Sequence, residues 1–326
     1  MHAGSGIGQG HLTRSLVAAR SLVTALGANV DFVAVGQRVD ERLARDFQVN
    51  FSVTDGSIDL VADQLTKRND YDAICLDLFK PLLVANLGVV LRSARKKGCK
   101  VVAIDSLVGC EQLIDLLYVP SFIPPFLPEG SDFRGRLAHG WDAYLLNVHA
   151  KNKKPDPSGS ILALTGGSDA TQLGQYWPAV LDLCLPLGYV VHWVTGPLSE
   201  RPIFPDPSRV EFIEHVAPAG LSALMHEVTA AVTVFGVSFF ELIALGVPTV
   251  VFSPYGETDY GEMQAIADQR IALVAQDAKD AAEQAAVLAK DSSLRAELAN
   301  NARGKLKKYD GEYFAAEVEL VLASQI

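Results

Sequence analysis

Apolar residues recur at helical spacing from His11 to about Ala28 (Leu12, Leu16, Val17, Ala19, Leu22, Val23, Leu26), and the run stops at Gly27. Short apolar stretches of strand length then alternate with further helical patterns. Strands are predicted near residues 30–35, 51–54, 73–76 and 100–104, and helices near 40–47, 58–67 and 82–97. Such alternation predicts an α/β fold with a parallel, doubly wound sheet. Periodicity fades between Cys110 and His149. The apolar but irregular stretch from Tyr118 to Pro128 reads as a loop, either a contact for an acceptor or lipid, or packing between domains. Charge, proline and glycine from Lys151 to Gly159 mark a linker. This places an N-terminal domain at 1–152 and a C-terminal domain at 153–326.

The second half restarts as the first did. A strand near 161–164 runs into Thr165-Gly166-Gly167-Ser168-Asp169 and a helix to about Leu187. Strands are predicted near 189–194, 210–213, 231–235 and 249–252, and helices near 219–226, 238–245, 259–270, 279–290, 293–307 and 312–324. Two similar halves predict one fold used twice, with the Ala- and charge-rich terminal helices as solvated covers.

Composition narrows the class. The 326 residues, 49% hydrophobic, suit a soluble protein of two domains. A formal net charge of -10 argues against a nucleic-acid partner, because phosphate backbones are held by clustered Lys and Arg. Four scattered cysteines (Cys75, Cys99, Cys110, Cys184) show no zinc or disulfide spacing. No apolar run is long enough for a spanning helix and no signal segment opens the chain, so the expected location is cytoplasmic, or peripheral to the inner membrane face.

The candidate chemistry begins at residue 4. Gly4, Gly6, Gly8 and Gly10 run straight into the first helix, with His11 in its first turn. Free N–H groups at a helix start favour an anion, and a histidine there is kept neutral, as a general base requires. The plain alternative is a Gly-rich turn followed by a polar first-turn residue. Such a loop normally follows a buried strand, yet only three residues precede it, so the first strand is expected to be truncated or missing. In the second half, Thr165 to Asp169 is a second anion cradle for a diphosphate, or else a tight turn with Asp169 as the N-cap. Phe235-Gly236-Val237-Ser238-Phe239-Phe240-Glu241 puts a carboxylate at the start of a helix, where it suits ribose hydroxyls. Ser238 and Glu241 equally have the spacing of a capping box. Asp77 and Asp105 close strands of the first sheet and read either as sugar contacts or as structural carboxylates. Asp70-Tyr71-Asp72 precedes a strand and reads as a surface turn, so no metal site and no cofactor are expected.

Gly10-His11-x-x-Arg14, Gly166-Gly167-Ser168-Asp169, and Ser238-x-x-Glu241 with Gly246-x-Pro248 together resemble the GT-B nucleotide-sugar enzymes. The resemblance is nearest to the subgroup of the pseudaminic-acid UDP-sugar hydrolase and SpsG-type proteins, and more distant to MurG-like glycosyltransferases. It implies two Rossmann-like domains facing across a cleft, the N-terminal one on the acceptor side and the C-terminal one holding a UDP-sugar donor. It further implies His11 as the base, and Gly10, Arg14, Gly166, Gly167, Ser168, Asp169, Val216, Ser238 and Glu241 as donor-binding residues. Within that set the glycine loop with Ser168 takes the diphosphate, Glu241 the ribose, and the backbone near His215 and Val216 the nucleotide base. Asp77, Asp105, Tyr144, Glu257 and Asp259 are its expected sugar contacts. Two departures are visible. Tyr255-Gly256-Glu257-Thr258-Asp259 stands where the hydrolase subgroup tends to have an Asn-Gln pair, and Asn147 stands where an arginine is usual. The expected activity is metal-independent inverting glycosyl transfer to an unidentified sugar, lipid-linked or small-molecule acceptor. The alternative is UDP-sugar hydrolysis by water in surface-polysaccharide or nonulosonate biosynthesis.

Overall fold

The computed structural model describes residues 1, 10–36, 39, 47–54, 61, 67, 71–78, 87–105, 109–127, 130–148, 159–216 and 220–324, except for the side chain of Glu257. Gly4, Gly6 and Gly8, most of the expected helices near 40–47 and 58–67, the start of the helix from 82 and most of the linker fall outside the described residues.

The chain forms two compact units, Met1–Asn147 with Lys308–Ile326, and Val148–Lys307. In the first unit, α1 (Gly10–Leu26) leads to β1 (Asp31–Val35) and β2 (Asn50–Thr54), which pair in parallel. A second parallel sheet follows in the order β3 (Ala73–Asp77), β4 (Lys100–Ile104), β5 (Leu116–Tyr118), β6 (Arg136–Ala138), with α2 (Leu87–Lys96) between β3 and β4. Val35 of β1 packs with Ile74 and Leu76 of β3 in a common core. Met1 lies beside β1, its amino group donating to the Val33 carbonyl (2.9 Å) and its own carbonyl accepting from the Val35 N–H (2.8 Å). Strands β5 and β6 lie where the sequence shows no periodicity. Three residues are too few to display alternation, and their ladder bonds alone define them.

The second unit carries a six-stranded parallel sheet in the order β12-β11-β10-β7-β8-β9. Its strands are β7 (Ser160–Leu164), β8 (Val190–Thr195), β9 (Glu211–Val216), β10 (Ala230–Val234), β11 (Thr249–Phe252) and β12 (Leu273–Val274). Its helices are α3 (Trp177–Cys184), α4 (Leu221–Glu227), α5 (Val237–Ala244), α6 (Tyr260–Asp268), α7 (Ala278–Lys290) and α8 (Ser292–Ala302). Buried small residues of α7 (Ala278, Ala281, Ala282, Ala285) let that helix approach one face of the sheet beside Trp177 and Trp193. The Trp177 indole donates to the Ala278 carbonyl (2.7 Å), which satisfies the polar atom of a fully buried ring. On the other face Leu242 of α5 packs with Leu162, Leu164 and Ala231.

The last helix, α9 (Glu312–Ala323), belongs to the first unit, whereas the sequence assigned everything beyond 152 to the second. It buries Phe314, Ala315, Val318 and Val321, three of which join Leu16 and Val17 of α1 in one core. Arg136 pairs with the buried Glu317, and the Lys100 ammonium donates to the Ser324 carbonyl (2.9 Å). The amphipathic pattern shows that this helix covers a core, but not which one.

Candidate active site

On α1, His11, Arg14 and Ser15 stand at i, i+3 and i+4, so they share one face of the first turns. All three converge on Asp77 at the end of β3. His11 Nδ1 lies 2.6 Å from Asp77 Oδ1. Arg14 Nε and Nη2 donate to the two carboxylate oxygens at 2.8 and 2.7 Å, and the Ser15 hydroxyl donates at 2.8 Å. The Asp77 side chain is fully buried. Burial alone would raise its carboxyl, but the Arg14 charge and the hydrogen bonds from Arg14 and His11 outweigh this and hold it well below the usual carboxylate range. Burial likewise opposes the Arg14 charge, yet Asp77 and Asp105 keep its pKa above the ordinary value. Arg14 Nη2 also donates to Asp105 Oδ2 at 3.2 Å.

A proton on His11 Nδ1 can be donated to the ionised Asp77, in which case the imidazole lone pair stands at Nε2. That is the tautomer a general base requires. Arg14, expected at the donor, has its guanidinium bonded to two carboxylates of its own unit. The buried Asp77 carboxylate is surrounded by His11, Arg14 and Ser15 of its own unit. Ser15 was missed by the sequence reading; its signal is a polar stripe on an otherwise apolar helix. Gly10 opens α1.

Tyr144 is buried, and its hydroxyl accepts the Phe122 N–H at 3.4 Å. Phe122 in turn stacks on Trp141 with ring centroids 4.3 Å apart, so part of the irregular stretch after β5 packs within its own unit.

In the second unit, the sheet order reverses between β7 and β10, and the loops leaving these neighbours emerge side by side. Such a switch point is where open α/β sheets bind ligands. After β7, Gly166 takes φ +84°, a conformation open to glycine, and a Cβ there would meet only Val234. Gly196, just beyond β8, supports this loop. A Cβ on it would fall 2.5 Å from the Gly167 carbonyl oxygen and 2.6 Å from that of Gly166. Thr165-Gly166-Gly167-Ser168 does not open directly on an α-helix. A single 3-10 turn (Leu173–Gln175) intervenes and α3 starts at Trp177. Asp169 caps that turn: its carboxylate accepts from Leu173 N (2.9 Å) and Gly174 N (2.7 Å). The residue is buried, and burial, only partly offset by these bonds, pushes its carboxyl up. Asp169, expected at the donor, thus bonds the backbone of the turn that follows.

After β10, Gly236 is the N-cap of α5, Ser238 is the second helical residue and no side-chain capping bond forms, so the capping-box alternative does not hold. Glu241 lies in the second turn of α5, half-buried, and its carboxylate has no hydrogen-bond partner among the described residues. Burial pushes its carboxyl up to about 8. Val216 ends β9 and is exposed, while His215 beside it bonds His192 (3.0 Å). Asp259 accepts from the Ser253 hydroxyl, closing the turn after β11. Glu257 lies in that turn, with its side chain outside the described part. Among the described residues no three His, Cys, Asp or Glu side chains converge as for a metal, and no helix is long and apolar enough to cross a membrane.

No family model matches the sequence, and no curated protein does. Solved structures do. MurG from Acinetobacter baumannii is 16% identical with a TM-score of 0.58, over 98% of this chain and 96% of that one. Phytolacca americana UGT2, solved with UDP-2fluoro-glucose and pterostilbene, is 14% identical with a TM-score of 0.62, over 99% of both chains. A putative UDP-N-acetylglucosamine 2-epimerase from Listeria monocytogenes is 10% identical with a TM-score of 0.61, over 98% of this chain and 94% of that one. This chain has the α/β fold, built on parallel sheets, of the GT-B glycosyltransferase structures.

Proposed function

We propose that this chain is a metal-independent, inverting glycosyltransferase that uses a UDP-sugar donor, with His11 as general base. The observation that carries the reading is the 2.6 Å bond between His11 Nδ1 and the buried, ionised Asp77. In the proposed reaction His11 Nε2 takes the proton from an acceptor hydroxyl as that oxygen attacks the anomeric carbon. The bond to UDP breaks on the opposite side, and UDP leaves with the bonding electrons. Asp77 stabilises the imidazolium that forms.

The two units divide the work, the first carrying the base and taking the acceptor, the second holding the donor. The growing charge on UDP is met by the N–H groups and hydroxyl of Gly166, Gly167 and Ser168. Glu241, at the switch point and with no other partner for its carboxylate among the described residues, accepts the ribose hydroxyls, and the end of β9 at Val216 borders the nucleotide base. Asp259 and Glu257, in the segment after β11, are the proposed contacts for the sugar.

A UDP-sugar panel, with UDP release measured with and without a crude acceptor extract, tests this. Release that depends on the extract supports transfer. Equally fast release in its absence makes the protein a UDP-sugar hydrolase. The same assay in EDTA reads metal dependence.

A further inference from the structure

The His11–Asp77 pair is electrically coupled to a third group. Arg14 Nη2 lies 2.7 Å from Asp77 Oδ1, 3.0 Å from His11 Nδ1 and 3.2 Å from Asp105 Oδ2. When His11 takes a proton, the new imidazolium therefore faces a guanidinium at close range, and two like charges at that distance oppose proton uptake. Asp77 alone cannot cancel both cations. Asp105 supplies the second negative charge, and with it the four side chains become neutral overall once His11 is protonated.

We propose that Asp105 is a positioning residue for the reaction, which through Arg14 offsets the guanidinium charge and lets Asp77 stabilise the His11 imidazolium. The assignment rests on the reading of His11 as the base. The backbone supports it. Asp105 adopts φ +77°, a left-handed conformation costly for most side chains but reached by Asp and Asn, while its N–H still donates to the Tyr118 carbonyl (2.8 Å). The ladder between β4 and β5 thus continues through it and directs its carboxylate, 37% exposed, at Arg14. The other charged groups around the pair, among the described residues, are Arg14 from α1 and the Met1 amino group, which is attracted to Asp77.

Asp105→Asn removes the charge while keeping the size and the tolerance for positive φ. The test is an NMR titration of the His11 ring nitrogens in the full chain, assigned by their loss in His11→Ala. The expected result is a fall in the His11 midpoint of roughly half a unit or more. Asp105→Gly, which relieves the left-handed backbone, should show the same fall, and Asp105→Glu should recover most of it. An unchanged midpoint in folded Asp105→Asn or Asp105→Gly overturns the proposal. A fall without any turnover of UDP-sugars still supports the role of Asp105, and places the failure in the catalytic reading.

Discussion

His11 on α1 and Asp77 at the end of β3 are 66 positions apart in the chain and 2.6 Å apart at Nδ1 and Oδ1. One rests on a helix and the other on a buried strand, so neither depends on a loop for its position. The carboxylate also accepts from Arg14 and Ser15, which leaves it little freedom to turn.

Asp77→Asn should therefore cost activity and stability together. Loss of the carboxylate removes the group that fixes the imidazole tautomer, with an expected fall in turnover of roughly a hundred- to ten-thousand-fold. It also leaves Arg14 buried with one carboxylate fewer, a destabilisation of about 3–5 kcal/mol. Turnover and thermal unfolding, measured on the same preparation, check both. The folded pKa of Asp77 lies below its unfolded value, so its contribution is fully present above the ordinary carboxylate range and is lost as pH falls through the folded value. Acid sensitivity from this pair belongs below about pH 4.

Glu241 carries the opposite sign. Its carboxyl is raised to about 8, so the folded state retains a proton that the unfolded state loses near pH 4.3, and stability falls as pH rises between these values. Glu241→Gln should unfold at a higher temperature than the parent at pH 8 and show little gain at pH 4. If the carboxylate accepts ribose hydroxyls, UDP binding to the parent should tighten from pH 6 to pH 8, while the variant binds weakly at both. Calorimetry at the two pH values checks this, and pH-independent binding by the parent would remove Glu241 from the site.

Gly196→Ala tests the loop it supports. The added Cβ meets the backbone carbonyls of Gly166 and Gly167 and no flexible side chain that could move aside. Overpacking of this kind costs about 1–3 kcal/mol, and the loop must shift to accommodate it. UDP affinity should fall by roughly tenfold or more, a larger change than the shift in unfolding temperature explains.

Asp169→Ala should act on stability first. Two buried N–H groups, of Leu173 and Gly174, lose their acceptor, at about 1–3 kcal/mol each. Thermal unfolding should show the loss, and UDP binding at a temperature where the variant is folded should change little. A selective loss of UDP binding would return Asp169 to the donor site.

These outcomes also mark how far the sequence could be read. The alternation of helices and strands was legible because β4 and β7 are continuous apolar runs bounded by turns. The loops at Gly166 and Gly236 were legible because glycine closely follows an apolar strand there. The roles within those loops were not. Asp169 has the chemistry of both an anion-site residue and a cap, and only its bonds to residues four and five positions on decide between them. Ser238 and Glu241 fit a capping box by spacing, yet the helix starts at Val237 with Gly236 as its N-cap. The ion pairs of Arg14 were not legible because its carboxylate partners, Asp77 and Asp105, are 63 and 91 positions away.

The central claim is that His11 is the base of a UDP-sugar transferase, and a comparison of the parent with His11→Ala tests it most directly. UDP release from the donor that the panel identifies should depend on acceptor in the parent, and should fall by roughly a hundredfold or more in the variant while UDP still binds. Equal release by the two proteins would contradict the account and remove His11 from the chemistry.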